Sequence, residues 1–274
     1  MAMDRVVFDS ITELAERVAE LHTRNNGRCF GDSSTRMSGM DFFGGMTPKE
    51  AVAIAADGGN WQAGADAMPR VHLPHERLGG GAIDTPELFN SVQGFAPNVP
   101  NYLTGQPDSM MNMHEPIQGT KLLRVAVHVG RLQSITQEQA LNRGAAIMAV
   151  LDQLSKEGYS LELWAVWRNE LYGQVASVET CIKHGTDYWT PSSVAFALCH
   201  VAFQRRLCWR VAESMLKGGA KLTDSGYGNG MAEKFKDFDL HFPYVTSGGP
   251  FETPEKATTT ITRQALDQLA TMAA

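Results

Sequence analysis

Residues Leu122–Ala140, "LLRVAVHVGRLQSITQEQA", carry the pattern that decides the fold. A run of β-branched and apolar residues, Leu122 to Val129, reads as a buried strand, and "SITQEQALNRGAAIMAVLDQLSKEG" after it reads as a helix. Ala140, Ala145, Ile147, Met148, Leu151 and Leu154 form a wide apolar stripe on that helix, as packing on a sheet requires. Gly158 follows where a left-handed C-cap is wanted. Two further strands, "LELWAVW" and "QVASVETCIK", come next. The order strand, helix, strand implies at least one parallel pair.

Outward from this core, helix starts are marked by side chains that satisfy the free N–H groups of the first turn. "SITE" at Ser10 is a capping box leading into a face of Ile11, Leu14, Val18 and Leu21. "TPKE" at Thr47, "TPSS" at Thr190 and "TPEK" at Thr253 place Pro at the first helical position, where its missing N–H costs nothing. "SSVAFALCHVAFQRRLCWRVAESML" reads as one long helix with a core face of Val194, Leu198, Val201 and Leu207. "FDLHFPYV" reads as a late strand, followed by a terminal helix. From Arg70 to Gln118 the chain is rich in Gly, Pro and Asn, with a short helix expected at "TPEL". The expected organisation is a helical N-terminal region over 1–69, an irregular wrap over 70–120 and an α/β core over 121–274. The expected architecture is a central mixed, partly parallel sheet with helices on both faces.

Composition bounds the function. The 274 residues are 43% hydrophobic and 20% charged, as in an ordinary globular chain long enough to bury a sizeable core. A net charge of −6 argues against coating duplex nucleic acid by bulk charge. Four cysteines, Cys29, Cys181, Cys199 and Cys208, show no close metal-ligand pairing and fit a reducing compartment. With no apolar run near 18 residues, the expectation is a cytoplasmic protein without a membrane partner.

Several groups are candidates for chemistry. "VHLPHE" places His72 and His75 beside Glu76, ligand types that zinc or iron accepts, but Pro74 between them breaks helical spacing. On the long helix, His200, Gln204, Arg205, Arg206 and Arg210 follow at short steps. That stripe fits either a solvated basic face or a groove for phosphate or a partner carboxylate. Beside Trp209 or Trp189 the same arginines would suit single-stranded nucleic acid, because stacking and charge together grip single strands. "FGDSSTR" resembles the Gly-Asp-Ser start of a serine-hydrolase family, with Ser33 as nucleophile, but the Asp-x-x-His that family needs near its C-terminus is missing.

Two resemblances extend further. The strand–loop–helix–strand pattern over Leu122–Trp167 resembles the first unit of von Willebrand factor A-type domains. Those domains bind a divalent ion through an Asp-x-Ser-x-Ser loop, and many act as adaptors, including for AAA-type ATPases. Here the loop runs His128, Val129, Gly130, Arg131, Leu132, Gln133, Ser134, so the carboxylate is missing and an anion or a protein partner suits His128 and Arg131 better than a cation. "GGNWQAGADAMP" (Gly58–Pro69), "PNVPNYLTGQPDSMM" (Pro97–Met111) and "NRGAAIMAVLDQLSKEGYSLELWAV" (Asn142–Val166) are similar to an uncharacterised family of proteins encoded by bacterial viruses and mobile elements. That resemblance implies a phage-encoded protein and carries no catalytic residue. The expected function is non-catalytic protein–protein interaction through a host or phage partner, with no cofactor. Single-stranded nucleic-acid binding and a metal-dependent enzyme are the alternatives.

Overall fold

The computed structural model describes residues 3–25, 39–67, 78, 87–92, 96–114, 121–132, 134–171, 174–185, 187–188, 190–215, 235 and 237–273. In chain order these form β1 (Met3–Phe8), α1 (Ile11–Asn25), α2 (Gly39–Phe42), α3 (Pro48–Ala56), α4 (Gln62–Ala67), β2 (Glu87–Ser91), β3 (Ala96–Pro97), α5 (Val99–Leu103) and β4 (Met110–His114). There follow β5 (Lys121–His128), α6 (Gln137–Lys156), β6 (Tyr159–Leu171), β7 (Gln174–Lys183), α7 (Pro191–Cys199), a π-helical segment (Phe203–Cys208), α8 (Trp209–Met215), β8 (Leu240–Phe242), a 3-10 turn (Gly249–Phe251) and α9 (Pro254–Ala273). Two compact units result, one made of Met1–Gly79 with Leu122–Ala274, the other of Gly80–Lys121.

The larger unit is an α/β fold around a mixed, mostly parallel sheet of five strands in the order β1-β7-β6-β5-β8. The core expected from sequence, β5-α6-β6-β7, is present with β5 and β6 adjacent. Local chemistry explains why. Thr136 caps α6 by accepting from the Gln139 N–H at 3.2 Å, and Gln139 returns the bond to the Thr136 N–H at 3.0 Å. Thr47 and Glu50 close the same box on α3. At α1 the Ser10 hydroxyl accepts from the Glu13 N–H, while Glu13 accepts from Asp9. Gly158 ends the α6 turn at φ 89°, the left-handed conformation that favours glycine.

Strand β1 was not expected, since Met3–Phe8 was read as part of a helical region. It pairs in parallel with β7, Met3 opposite Val175 through Phe8 opposite Thr180. Its pattern is short, and the partner that fixes it lies far along the chain, so local periodicity does not report it. Leu123, Val125 and Val127 of β5, Leu163, Ala165 and Trp167 of β6 and Ala176 and Val178 of β7 pack into two clusters with the helices. The alternate positions Ala126 and Val166 instead meet Phe235, with Trp164 and Phe238 at the margin. Among the described residues no helix enters that second cluster.

Close approach of α6 to α7 depends on Gly144, where an added Cβ would lie 2.2 Å from the Cys199 Sγ and 3.1 Å from its Cα. Gly144→Ala is expected to cost about 1–3 kcal/mol through overpacking. A urea unfolding midpoint equal to wild type would refute this.

The smaller unit, taken by itself, holds a three-stranded antiparallel sheet in the order β2-β4-β3, with Glu87 opposite His114 and Ala96 opposite Met111. Glu87–Ser91 is thus a strand in place of the short helix expected after "TPEL".

Candidate functional site

The expected long helix after Pro191 is interrupted. α7 ends at Cys199, His200 is extended (φ −98°, ψ 130°), and the chain resumes through the π-helical segment into α8. No proline or glycine causes the interruption. Side chains from the loop after β5 and the start of α6 supply partners for the backbone groups it releases. Arg131 donates to the carbonyls of Leu198 (2.7 Å) and His200 (3.3 Å). Gln137 donates to the Cys199 carbonyl at 3.0 Å and accepts from the Val201 N–H at 3.1 Å. The His200 Nδ1 accepts from the Ala202 N–H at 3.0 Å. Trp61 meets the His200 ring edge-on, with centroids 4.6 Å apart.

The remaining arginines of the stripe act in the same way. Arg205 donates to the carbonyl of Phe42, and to those of Leu132 (3.2 Å) and Ile135 (3.3 Å), with its guanidinium 4.2 Å from the Phe42 ring centroid. Arg206 donates to the Met46 carbonyl at 3.2 Å and lies over Phe43. Arg210 donates to the Leu21 carbonyl. Arg143 on α6 donates to the Pro243 carbonyl at 2.9 Å. Every residue from Val194 to Ala212 is buried.

These positions correct the expected solvated face or groove. Arg131, Arg205, Arg206 and Arg210 are at most 2% exposed, and so is Trp209, which packs on Phe42 with centroids 5.9 Å apart. His128 is buried as well, so His128 and Arg131 do not present a surface at the strand end. The physical reason is the supply of main-chain carbonyls at helix ends and turns, which draws the guanidinium forks inward. Trp189, His72, His75 and Ser33 lie outside the described residues.

Burial sets the protonation of this interior. It lowers Arg131 to about 10 and, with Arg131 as a like-charged neighbour, Arg143 and Arg205 to about 9, so all three stay charged at neutral pH. Burial first, and Arg143 second, push His128 down to about 3, while burial and Arg131 push His200 down to about 4. The His128 Nδ1 accepts from the Gly130 N–H at 3.0 Å. Both rings therefore carry their proton on Nε2, facing the Arg168 carbonyl in His128 and the Gly44 backbone in His200. They are neutral structural groups at pH 7.

A second constellation, missed in the sequence reading, occupies the sheet face opposite the helices. Arg5 grips the buried Glu179 carboxylate with two bonds of 2.9 and 2.7 Å, Arg168 approaches it at 3.6 Å, and the Ser177 hydroxyl donates to it at 3.0 Å. Arg168 also lies 4.8 Å from the Phe235 ring centroid, and His128 stacks on that ring at 5.9 Å. Nearby, Arg124 pairs with Glu162 at 2.8 Å, and the Trp164 Nε1 donates to the same carboxylate at 2.8 Å. Burial acts to raise the Glu162 pKa, but these two donors outweigh it and leave it below the usual value. The signal was available in "LELWAVWRNEL" and "VASVET", where Glu162, Arg168, Ser177 and Glu179 fall on alternate positions of their strands. Chemically this is a set of closed ion pairs. Among the described residues no group of three or more His, Cys, Asp or Glu could hold a metal ion. None of their helices is long and apolar enough to cross a membrane.

In the smaller unit, Val99, Tyr102 and Leu103 are 57%, 68% and 77% exposed. Their i, i+3, i+4 spacing puts them on one side of α5. The helix is held at both ends. The Asn98 side chain accepts from the Asn101 N–H and donates to the Asn90 Oδ1 at 2.9 Å, while Thr104 donates to the Pro100 carbonyl at 3.1 Å.

A family model described as a domain of unknown function (DUF7192) matches residues 3–268. No curated protein and no solved structure matches the chain.

Proposed function

Because the chain belongs to the DUF7192 family, a domain of unknown function whose model spans nearly its whole length, we propose from its surface that it is a non-catalytic interaction protein. In this reading the partner is another protein, held on the apolar side of α5. The observation that carries it is the exposure of Val99, Tyr102 and Leu103 together on a capped helix. Three large apolar side chains left in water on one helix side are what a protein partner covers, and tyrosine is favoured at such contacts. The interior arginines support the same reading from the other side, since they are engaged by the protein's own carbonyls. The resemblances seen in sequence extend the proposal: the protein is phage-encoded, works in the cytoplasm of the infected bacterium, and its partner is a host or phage factor of the kind von Willebrand-like adaptors serve, such as an AAA-type ATPase.

The test is affinity capture from infected cells with wild type and with a Val99→Asp/Leu103→Asp double variant. Partner recovery is expected to fall at least tenfold, a loss of about 1.4 kcal/mol or more. The melting temperature is expected to stay within the change of about 0.5 kcal/mol typical of surface substitutions. Equal recovery of every partner by the two proteins removes α5 as the contact. Equal, salt-sensitive retention of a single-stranded oligonucleotide would replace the proposal with nucleic-acid binding.

A further inference from the structure

We propose that the interior between α6 and the end of α7 binds a small inorganic anion of chloride's size and charge, held by the Arg131 Nε and the Arg143 Nη1. Both guanidiniums are 1% exposed, and those two nitrogens have no hydrogen-bond partner. Their remaining hydrogen bonds go to neutral backbone carbonyls, Leu198 and His200 for Arg131, Phe242 and Pro243 for Arg143. Two side chains of like charge are thereby buried with no carboxylate among these partners, an arrangement that is costly unless a negative charge lies close.

The chain brings the two together. Arg131 brackets Cys199 by binding the carbonyls on either side of it, and Gly144, next to Arg143, lies against the Cys199 side chain. Arg131 forms a bridge with Val245, two residues beyond the Pro243 carbonyl that Arg143 binds. The Cys199 thiol is the acidic group between them, and burial holds it up at about 12 against the pull of both arginines, so it supplies no thiolate at neutral pH. His128, the neighbouring titratable ring, is neutral. A monovalent anion offsets part of the double positive charge, and a small one matches two single N–H donors. Phosphate and sulfate bring four oxygens, more than these two donors satisfy.

The test uses the intact protein. Its melting temperature is measured in sodium chloride against sodium gluconate and sodium sulfate at equal ionic strength, and crystals soaked in sodium bromide are examined for anomalous scattering. The expected result is a rise of roughly 2–4 °C for each tenfold increase of chloride above its dissociation constant. It is accompanied by a bromide peak within contact of Arg131 Nε and Arg143 Nη1. Arg143→Met is expected to abolish the chloride-specific rise; should that variant fail to fold, the bromide peak in wild type decides alone. An ordered water at this position, with identical melting in the three salts, overturns the proposal. So does a chloride effect that survives in a folded Arg143→Met protein with no bromide peak at the site.

Discussion

Lowering the pH from 6.5 to 4 is expected to remove about 5–6 kcal/mol of folding stability through two histidines, His128 and His200. In the unfolded chain both rings take up a proton as the pH falls through 6.5. In the folded protein burial and neighbouring arginines hold them neutral down to about 3 and about 4. The unfolded state thus binds more protons across this window. Stability is full above 6.5, falls with decreasing pH by about 1.4 kcal/mol per unit for each ring, and stops falling once the folded rings titrate. Because small proteins hold a net stability of only about 5–15 kcal/mol, acid unfolding is expected within or just below this window. Urea midpoints at pH 7, 6 and 5 check this, since Glu162, the partly buried carboxylate with a lowered pKa, matters only near and below 4.5. His128→Asn and His200→Asn keep an acceptor near the Nδ1 position and are each expected to halve the slope. A wild-type midpoint that does not move between pH 7 and 5 contradicts the buried neutral assignment.

Replacing Arg205 by methionine is expected to cost about 3–5 kcal/mol, because each buried carbonyl left without its donor costs about 1–3 kcal/mol. The methionine keeps much of the stem volume but leaves the carbonyls of Phe42, Leu132 and Ile135 without their donor. Arg205→Lys is expected to recover less than half of the loss, because one ammonium cannot reach with the planar fork to carbonyls from both the α2 end and the β5–α6 loop. Chemical unfolding of the three proteins at pH 7 decides it. If Arg205→Met is as stable as wild type, the guanidinium is not a structural clamp and the surface reading from sequence returns.

What was legible in the sequence was local. Capping boxes at Ser10 and Thr47, the stripe on α6 and the apolar strands of β5 to β7 are each set by residues within a turn or two of one another, and each formed as read. Strand β1 depends on β7, and the end of α7 depends on Arg131 and Gln137, so neither is written where it occurs. The stripe of Arg205, Arg206 and Arg210 misled for a related reason. Periodicity finds a polar face by assuming that the opposite side meets water, and the segment from Val194 to Ala212 meets none. The strands of the smaller unit were missed because they are two to five residues long and carry the Asn, Pro and Ser that elsewhere mark turns.

The interruption at His200 also bears on the order of assembly. Left to its own propensities, the segment from Pro191 to Met215 would nucleate as a continuous helix within about a microsecond. Its correct ending waits on long-range closure. The groups that impose that ending, and the carbonyls that Arg205, Arg206 and Arg210 seek at Phe42, Met46, Leu132, Ile135 and Leu21, all precede it in the chain. During N-to-C synthesis they are already outside when this segment emerges, whereas β8 and α9 are still to come. Vectorial folding would meet the constraint as the helix forms, and refolding from denaturant would have to undo a helix that had run too far.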